Sequence, residues 1–142
     1  MEKKDKFKMA PEEYRKILDG ITLKNLSLLE TNAKIKSNLK SFDKMNIDIE
    51  EEAKFEVNDD EIIITQRYNL TGRPIGKKNA ILTISAVFAL HLESEKEFTE
   101  DFFEIYKGLS LPLNTWPFLR EFANSMTARM NIPPLTLPLL KR

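Results

Sequence analysis

The chain has 142 residues, and its 22 basic and 22 acidic side chains cancel. One domain, residues 1–142, fits that length and can bury roughly 68–70% of its unfolded surface. The lack of cysteine excludes disulfides and thiolate metal sites and points to a reducing, cytoplasmic setting. Zero net charge removes the usual electrostatic footprint of a nucleic-acid binder.

The opening MEKKDKFK is charged and has no apolar run behind it, so residues 1–8 read as a flexible start and not as a secretion signal. No stretch approaches the ~20 apolar residues of a membrane span. APEEYRKILDG then places Pro11 at a helix start, acids in the first turn, basic residues after them and Gly20 as the stop. This is the order the helix dipole favours, and it predicts a short helix.

Strands follow. From Leu29 to Leu39 every second residue is apolar or small, the pattern of a half-buried strand. Ile21 and Leu23 alternate too, but the phase slips before Leu26 and Leu28, which predicts a bulge near Asn25. The linker SFDKMNID leads to Ile47, Ile49, Ala53, Phe55 and Val57, again alternating. VNDDEI reads as a turn, IIITQRYNL as a strand and TGRPIGKKN as a hairpin loop. AILTISAVFALHL, Ala80 to Leu92, is apolar on both faces and needs cover on both. Helices can cover one face. A second copy of the chain is a candidate for the other, although terminal helices covering both remain an alternative.

Helices come last. FTEDFFEIYKG has Thr99 as N-cap, a Phe98–Phe103 staple and Gly108 as terminator, with Phe98, Phe102, Ile105 and Tyr106 on one side. LSLPLN reads as a link. In the next helix Asn114 or Thr115 caps, Pro117 sits in the first turn, and Leu119, Phe122, Ala123, Met126 and Met130 form one apolar stripe. Arg120, Glu121 and Asn124 lie away from that stripe. PPLTLPLLKR is interrupted by prolines and must run extended. Strands followed by helices give the α+β class, with a four-stranded antiparallel sheet, a short N-terminal helix and C-terminal helices.

Catalytic patterns are missing. His91 stands without cysteine or a second histidine and reads as an ordinary strand-end residue. GRPIGKK lacks the spacing of a phosphate loop, and the acids of IEEEAKFEVNDDE do not follow calcium-loop spacing. The expectation is a protein that is not an enzyme and uses no cofactor and no metal.

WPFLREFANSMTARMNIPPLTLPLL resembles the C-terminal signature of the SecB-type protein-export chaperones. That signature has an aromatic–Pro–aromatic helix start, an Arg-Glu pair, an (S/T)xxxR helix end and a PxLxLxP segment. The matching residues here are Pro117, Phe118, Arg120, Glu121, Arg129, Pro134, Leu135, Leu137 and Pro138. The order of elements upstream fits as well. The resemblance implies an ATP-independent holdase for unfolded polypeptides, assembled as a homotetramer, a dimer of dimers, without nucleic acid or membrane insertion. Two departures stand out. The family continues into a second groove-lining helix and a tail used with the export motor ATPase, whereas this sequence ends at Arg142. The groove is therefore expected to be open on one side, and service to a toxin–antitoxin system stands beside export.

Candidate client-binding residues are Phe42, Met45, Ile47, Phe55, Met126, Met130, Leu135, Leu137, Leu139 and Leu140. Methionine and leucine repack around many client sequences. Phe42 and Met45 lie in a polar linker, where the other reading is an anchor that pins the loop to the core. For the leucine tail the candidate roles are groove wall, oligomer contact and a backbone able to pair with a bound strand. Core packing remains the alternative for Met126 and its stripe. The rival function is an α+β domain that encloses a small molecule or lipid.

Overall fold

The computed structural model of the protein describes residues 9–36 and 44–140. The expected flexible start and the candidate Phe42 lie outside them. The elements are α1 (Pro11–Asp19), β1 (Ile21–Ile35), β2 (Met45–Asn58), β3 (Glu61–Pro74), β4 (Leu82–Ser94), α2 (Glu100–Leu109) and α3 (Leu111–Arg129). The strands form one antiparallel sheet in the order β1-β4-β3-β2. This is the expected α+β architecture. β1 and β2 are the two edges.

The strand registers separate the faces, because directly opposed residues share one. Ile62, Ile64, Tyr68 and Leu70 of β3 lie opposite Leu92, Leu90, Ala86 and Ile84 of β4, and all eight are buried. Phe55, Ile49 and Ile47 of β2 extend this inner face to one edge, and Leu23, Leu26 and Leu28 of β1 extend it to the other. The helices cover the middle. The outer face carries Asp48, Glu50, Glu52 and Lys54 on β2 and Asn25, Ser27 and Lys34 on β1, and it is polar.

β4 needs less cover than its apolar sequence implies. Val87 and Ala89 do face outward, yet both are buried within the single chain. Glu30 and Arg67 flank Val87, and Ser27 and Thr65 flank Ala89. Longer neighbours thus shade two small apolar side chains, and no second copy is needed to cover them.

The pairing of β1 skips a residue between Leu23 and Asn25, which is the expected bulge, and skips again between Leu28 and Glu30. The second shift was not legible in the alternation. An extra residue flips every side chain after it. Leu29, expected inward, is therefore 59% exposed, and the inward series restarts at Thr31, Ala33 and Ile35.

Four local expectations are corrected. TGRP is not loop, because β3 stays paired with β2 as far as Pro74. A Cβ on Gly72 would lie 2.8 Å from the Met45 sulfur, so the glycine makes room for Met45 to pack across the strand. Gly108 does not end α2. That helix runs to Leu109, and α3 begins two residues later with Pro112 in its first turn, where the missing N–H costs nothing. LSLPLN is therefore mostly helical, with Leu111 buried. Thr115 is not a cap. It is buried, and its hydroxyl lies 2.6 Å from that of Tyr68.

Other expectations hold. Thr99 Oγ1 accepts from the Phe102 backbone N–H at 3.1 Å, and the Phe98 and Phe103 rings stand 6.2 Å apart. Phe98, Phe102, Ile105 and Tyr106 are buried, joined by Phe103. Tyr14 of α1 stacks on Phe102 at 4.9 Å and shares a 2.7 Å hydrogen bond with Ser110.

This aromatic cluster has a consequence for pH. Burial, and then the neighbouring Tyr14, push the Tyr106 phenol up from an ordinary 10.0 to about 12. Below the lower value both states hold the proton and stability is unaffected. Between the two values the unfolded chain loses its proton first, so stability falls as pH rises, by up to about 2–3 kcal/mol. Urea midpoints measured across this alkaline window should drop for the wild type and drop less for Tyr106→Phe.

Candidate functional site

The tail that follows α3 is strapped to it. Thr127, Asn124, Arg120 and Trp116 recur every three or four residues and so form one stripe along the helix. Thr127 Oγ1 accepts from the Leu135 N–H at 2.8 Å. Asn124 Nδ2 donates to the Leu135 carbonyl at 3.4 Å and to Thr136 Oγ1 at 3.2 Å. Arg120 Nε donates to the Leu137 carbonyl at 2.7 Å, and Trp116 Nε1 to the Pro138 carbonyl at 2.9 Å. The tail runs back antiparallel to the helix, and side chains satisfy the backbone groups that its prolines keep out of regular structure. Arg120 and Asn124 are therefore not idle surface residues. The tail groups expected to face a bound strand are instead engaged inward at these positions.

The candidate residues divide by exposure. Leu137 is 3% exposed and belongs to the core. Met45, Ile47, Phe55, Met126, Met130 and Leu135 are half-buried and pack against that same core. Phe55 is held between Phe98 at 5.1 Å and Phe103 at 4.6 Å. Met45 is the first residue of β2 and not part of the linker. Leu140 is half-buried, and Leu139 is 69% exposed.

The open apolar surface lies elsewhere. Leu28 is opposite Phe88 in the β1–β4 register, and Phe118 of α3 stands 6.2 Å from the Phe88 ring. Phe88 is buried beneath, while Leu28 is 49% and Phe118 52% exposed. Leu23, opposite Leu92, continues the same face and is also exposed. The inner face of β1 and the adjoining flank of α3 thus form an apolar furrow at the edge of the sheet. The alternation with a bulge near Asn25 puts Leu28 on the inner face, but sequence reasoning missed the furrow because Phe118 and Phe88, which complete it, lie far away along the chain. Phe118 did give a signal. It is an aromatic one residue off the buried Leu111, Thr115, Leu119 and Ala123 series.

A second apolar hollow, about 490 Å³, lies between α1 and α2, lined by Met9, Pro11, Tyr14, Arg15, Leu18, Ile105 and Leu109. Its volume suits a small ligand or a large side chain. Titratable groups are not gathered in either hollow. His91 Nδ1 sits 2.8 Å from Glu61 Oε2 on the polar face, and among the described residues no three His, Cys, Asp or Glu side chains are placed to hold a metal. The described helices include none long and apolar enough to cross a membrane.

No protein-family model matches the chain. Two curated proteins do. The SecB-like chaperone Rv1957 of Mycobacterium tuberculosis strain H37Rv is 36% identical over 59 residues, covering 41% of this chain and 33% of the relative. Its counterpart MT2006 in strain CDC 1551 matches to the same extent. The matched stretch is thus a third of the relatives' length. Among solved structures, that of M. tuberculosis Rv1957 in complex with a ChAD peptide from the HigA1 antitoxin superposes with a TM-score of 0.74. It covers 87% of this chain and 93% of that one at 21% identity. The expected likeness to SecB-like chaperones is present in sequence and in fold.

Proposed function

We propose that this chain, SecB-like in fold and similar in sequence to SecB-like chaperones, is an ATP-independent holdase for non-native polypeptides. The observation that carries this reading is the apolar furrow of Leu23, Leu28 and Phe118, set over a buried aromatic and left uncovered by the chain itself. Large exposed apolar patches mark interaction surfaces. Unfolded chains expose apolar side chains, and removing these from water is worth roughly 25 cal/mol per Å². Binding the unfolded form alone draws it away from aggregation by mass action.

In this reading the client lies along the furrow. The half-buried Met45, Ile47, Phe55, Met126, Met130 and Leu135 and the tail residues Leu139 and Leu140 supply further contacts as the surface adapts. Leu137 supports the wall from inside. An antitoxin segment is one fitting client, because the similar structure holds a peptide of that kind. Service to protein export is the broader alternative. Light scattering of a chemically unfolded aggregation-prone enzyme after dilution tests the reading. Suppression of turbidity that grows with the amount of this protein and needs no ATP is expected, and turbidity equal to that with an inert protein would refute it.

Self-association into a tetramer is part of the same proposal. The exposed Leu29 on the free edge strand β1 supports it. A mass of four chains is expected by light scattering, and a monomer at micromolar concentration would exclude it. The small-ligand alternative draws on the hollow between α1 and α2. Native mass spectrometry that finds a copurified apolar molecule would favour that alternative.

A further inference from the structure

The tail lying along α3 is an extended peptide held by a helix, and the bonds that hold it are mostly of one kind. Trp116 Nε1, Arg120 Nε and Asn124 Nδ2 donate to the carbonyls of Pro138, Leu137 and Leu135. Pro133, Pro134 and Pro138 have no N–H to give. Among the described residues α3 takes one main-chain N–H from this stretch, that of Leu135, at Thr127 Oγ1. A row of donors matched to carbonyls reads the main chain and tolerates proline. Selection by side chain is left chiefly to one position. Leu137 is buried, its neighbours Thr136 and Pro138 are exposed, and Leu135 is half-buried two residues before it, at the spacing of an extended chain.

The tail does not fill its place. A hollow of about 260 Å³ lies against Arg120, Asn124, Thr136 and Leu137. A segment of another chain with the same groups would remake each bond that the tail gives up. The advantage of the tail over such a rival is its attachment, which keeps it near the helix at high effective concentration.

We infer that this stripe of α3 is a second binding site, for an extended polypeptide segment with leucine at alternate positions and prolines between, and that the tail is its resident occupant, displaced when such a segment binds. The segment belongs to a client whose neighbouring stretch lies in the furrow, a use that rests on the holdase reading. Phe118 is two residues from both Trp116 and Arg120, which turns it to another flank of α3, so one helix serves both sites. Aromatic-lined grooves take proline-rich segments in the same manner, because such segments are extended before they bind and lose little entropy on binding.

The fluorescein-labelled peptide NIPPLTLPLL, the sequence of residues 131–140, is the probe, titrated by anisotropy against the full chain. Because the tail competes, apparent affinity scales with the fraction of molecules whose groove is open. Leu137→Ala weakens the tail and should bind the peptide at least about ten-fold more tightly than the wild type does. The peptide should also raise the urea midpoint of that variant. A peptide with alanine at the place of Leu137 should lose the gain. A second variant leaves the core intact. Asn124 Nδ2 and Thr136 Oγ1 are 3.2 Å apart, and the chain has no cysteine. Asn124→Cys with Thr136→Cys, joined by a short bis-maleimide, fixes the tail on the helix. The cross-link should abolish peptide binding and weaken binding of reduced, carboxymethylated α-lactalbumin by about three- to ten-fold, the scale of one or two hydrogen bonds. A folded Leu137→Ala that gains no affinity overturns the assignment, and so does a cross-linked protein that binds the peptide like the unlinked one. A cross-link that stops the peptide but leaves α-lactalbumin binding unchanged overturns the client role of the site. A wild type that ignores α-lactalbumin, with the peptide results as expected, refutes the holdase reading and supports the peptide site.

Discussion

Leu137→Ala is expected to lower the stability of the protein by about 2–4 kcal/mol, the usual range for a leucine lost from a packed core. Leu139→Ala, two residues on, should change it by less than about 0.5 kcal/mol. The difference follows from exposure, 3% against 69%. Leu137 is also fixed from both sides. Its side chain is in the core, and its carbonyl takes the Arg120 Nε–H at 2.7 Å. Removing the side chain leaves a cavity and slackens the strap that Thr127 begins at Leu135. Urea denaturation of the two variants separates them. Equal small losses would mean that the tail lies loosely on the helix, whereas equal large losses would mean that Leu139 is covered by another subunit.

Leu28→Ser combined with Phe118→Ser should abolish most client binding, by about 30- to 100-fold, while the urea midpoint moves little. Each side chain is half-exposed in the free chain, so its truncation removes little buried contact there. In a complex each would be covered, and burying a large apolar side chain is worth roughly 1.5–3 kcal/mol. Contacts at the centre of an interface carry most of its energy, and an aromatic such as Phe118 is a common anchor. The two residues meet over Phe88, so their losses are not expected to add independently. Fluorescence titration with an unfolded labelled client gives the affinity. Unchanged binding would move the client surface to the tail, and loss of oligomer mass would assign the furrow to self-association.

The two predictions rest on features that were unequally legible in the sequence. The class, the strand sequence and the α2 cap were readable because each depends on local periodicity or on one side chain meeting a nearby backbone group, as Thr99 does. The tail was readable as extended, since its prolines forbid helix. Its attachment was not. Arg120 and Asn124 look like solvent-facing residues until the chain turns back at Asn131, whose φ is 63°, and brings the tail carbonyls to them. Leu137 and Leu139 share one alternation, so only the docked geometry separates the buried one from the open one. The furrow was hidden for another reason. The bulge near Asn25 already puts Leu28 on the inner face, but its exposure there and the meaning of Phe118 depend on Phe88 on a distant strand.

Selectivity for the unfolded state is the core of the account, and one client in two states measures it. Isothermal titration with α-lactalbumin, first with its disulfides intact and then reduced and carboxymethylated, holds the sequence nearly constant while exposing the apolar side chains. The account predicts saturable binding of the reduced chain, with the negative heat-capacity change of apolar burial, and no detectable heat with the native protein. Equal binding of both forms, or of neither, would contradict it.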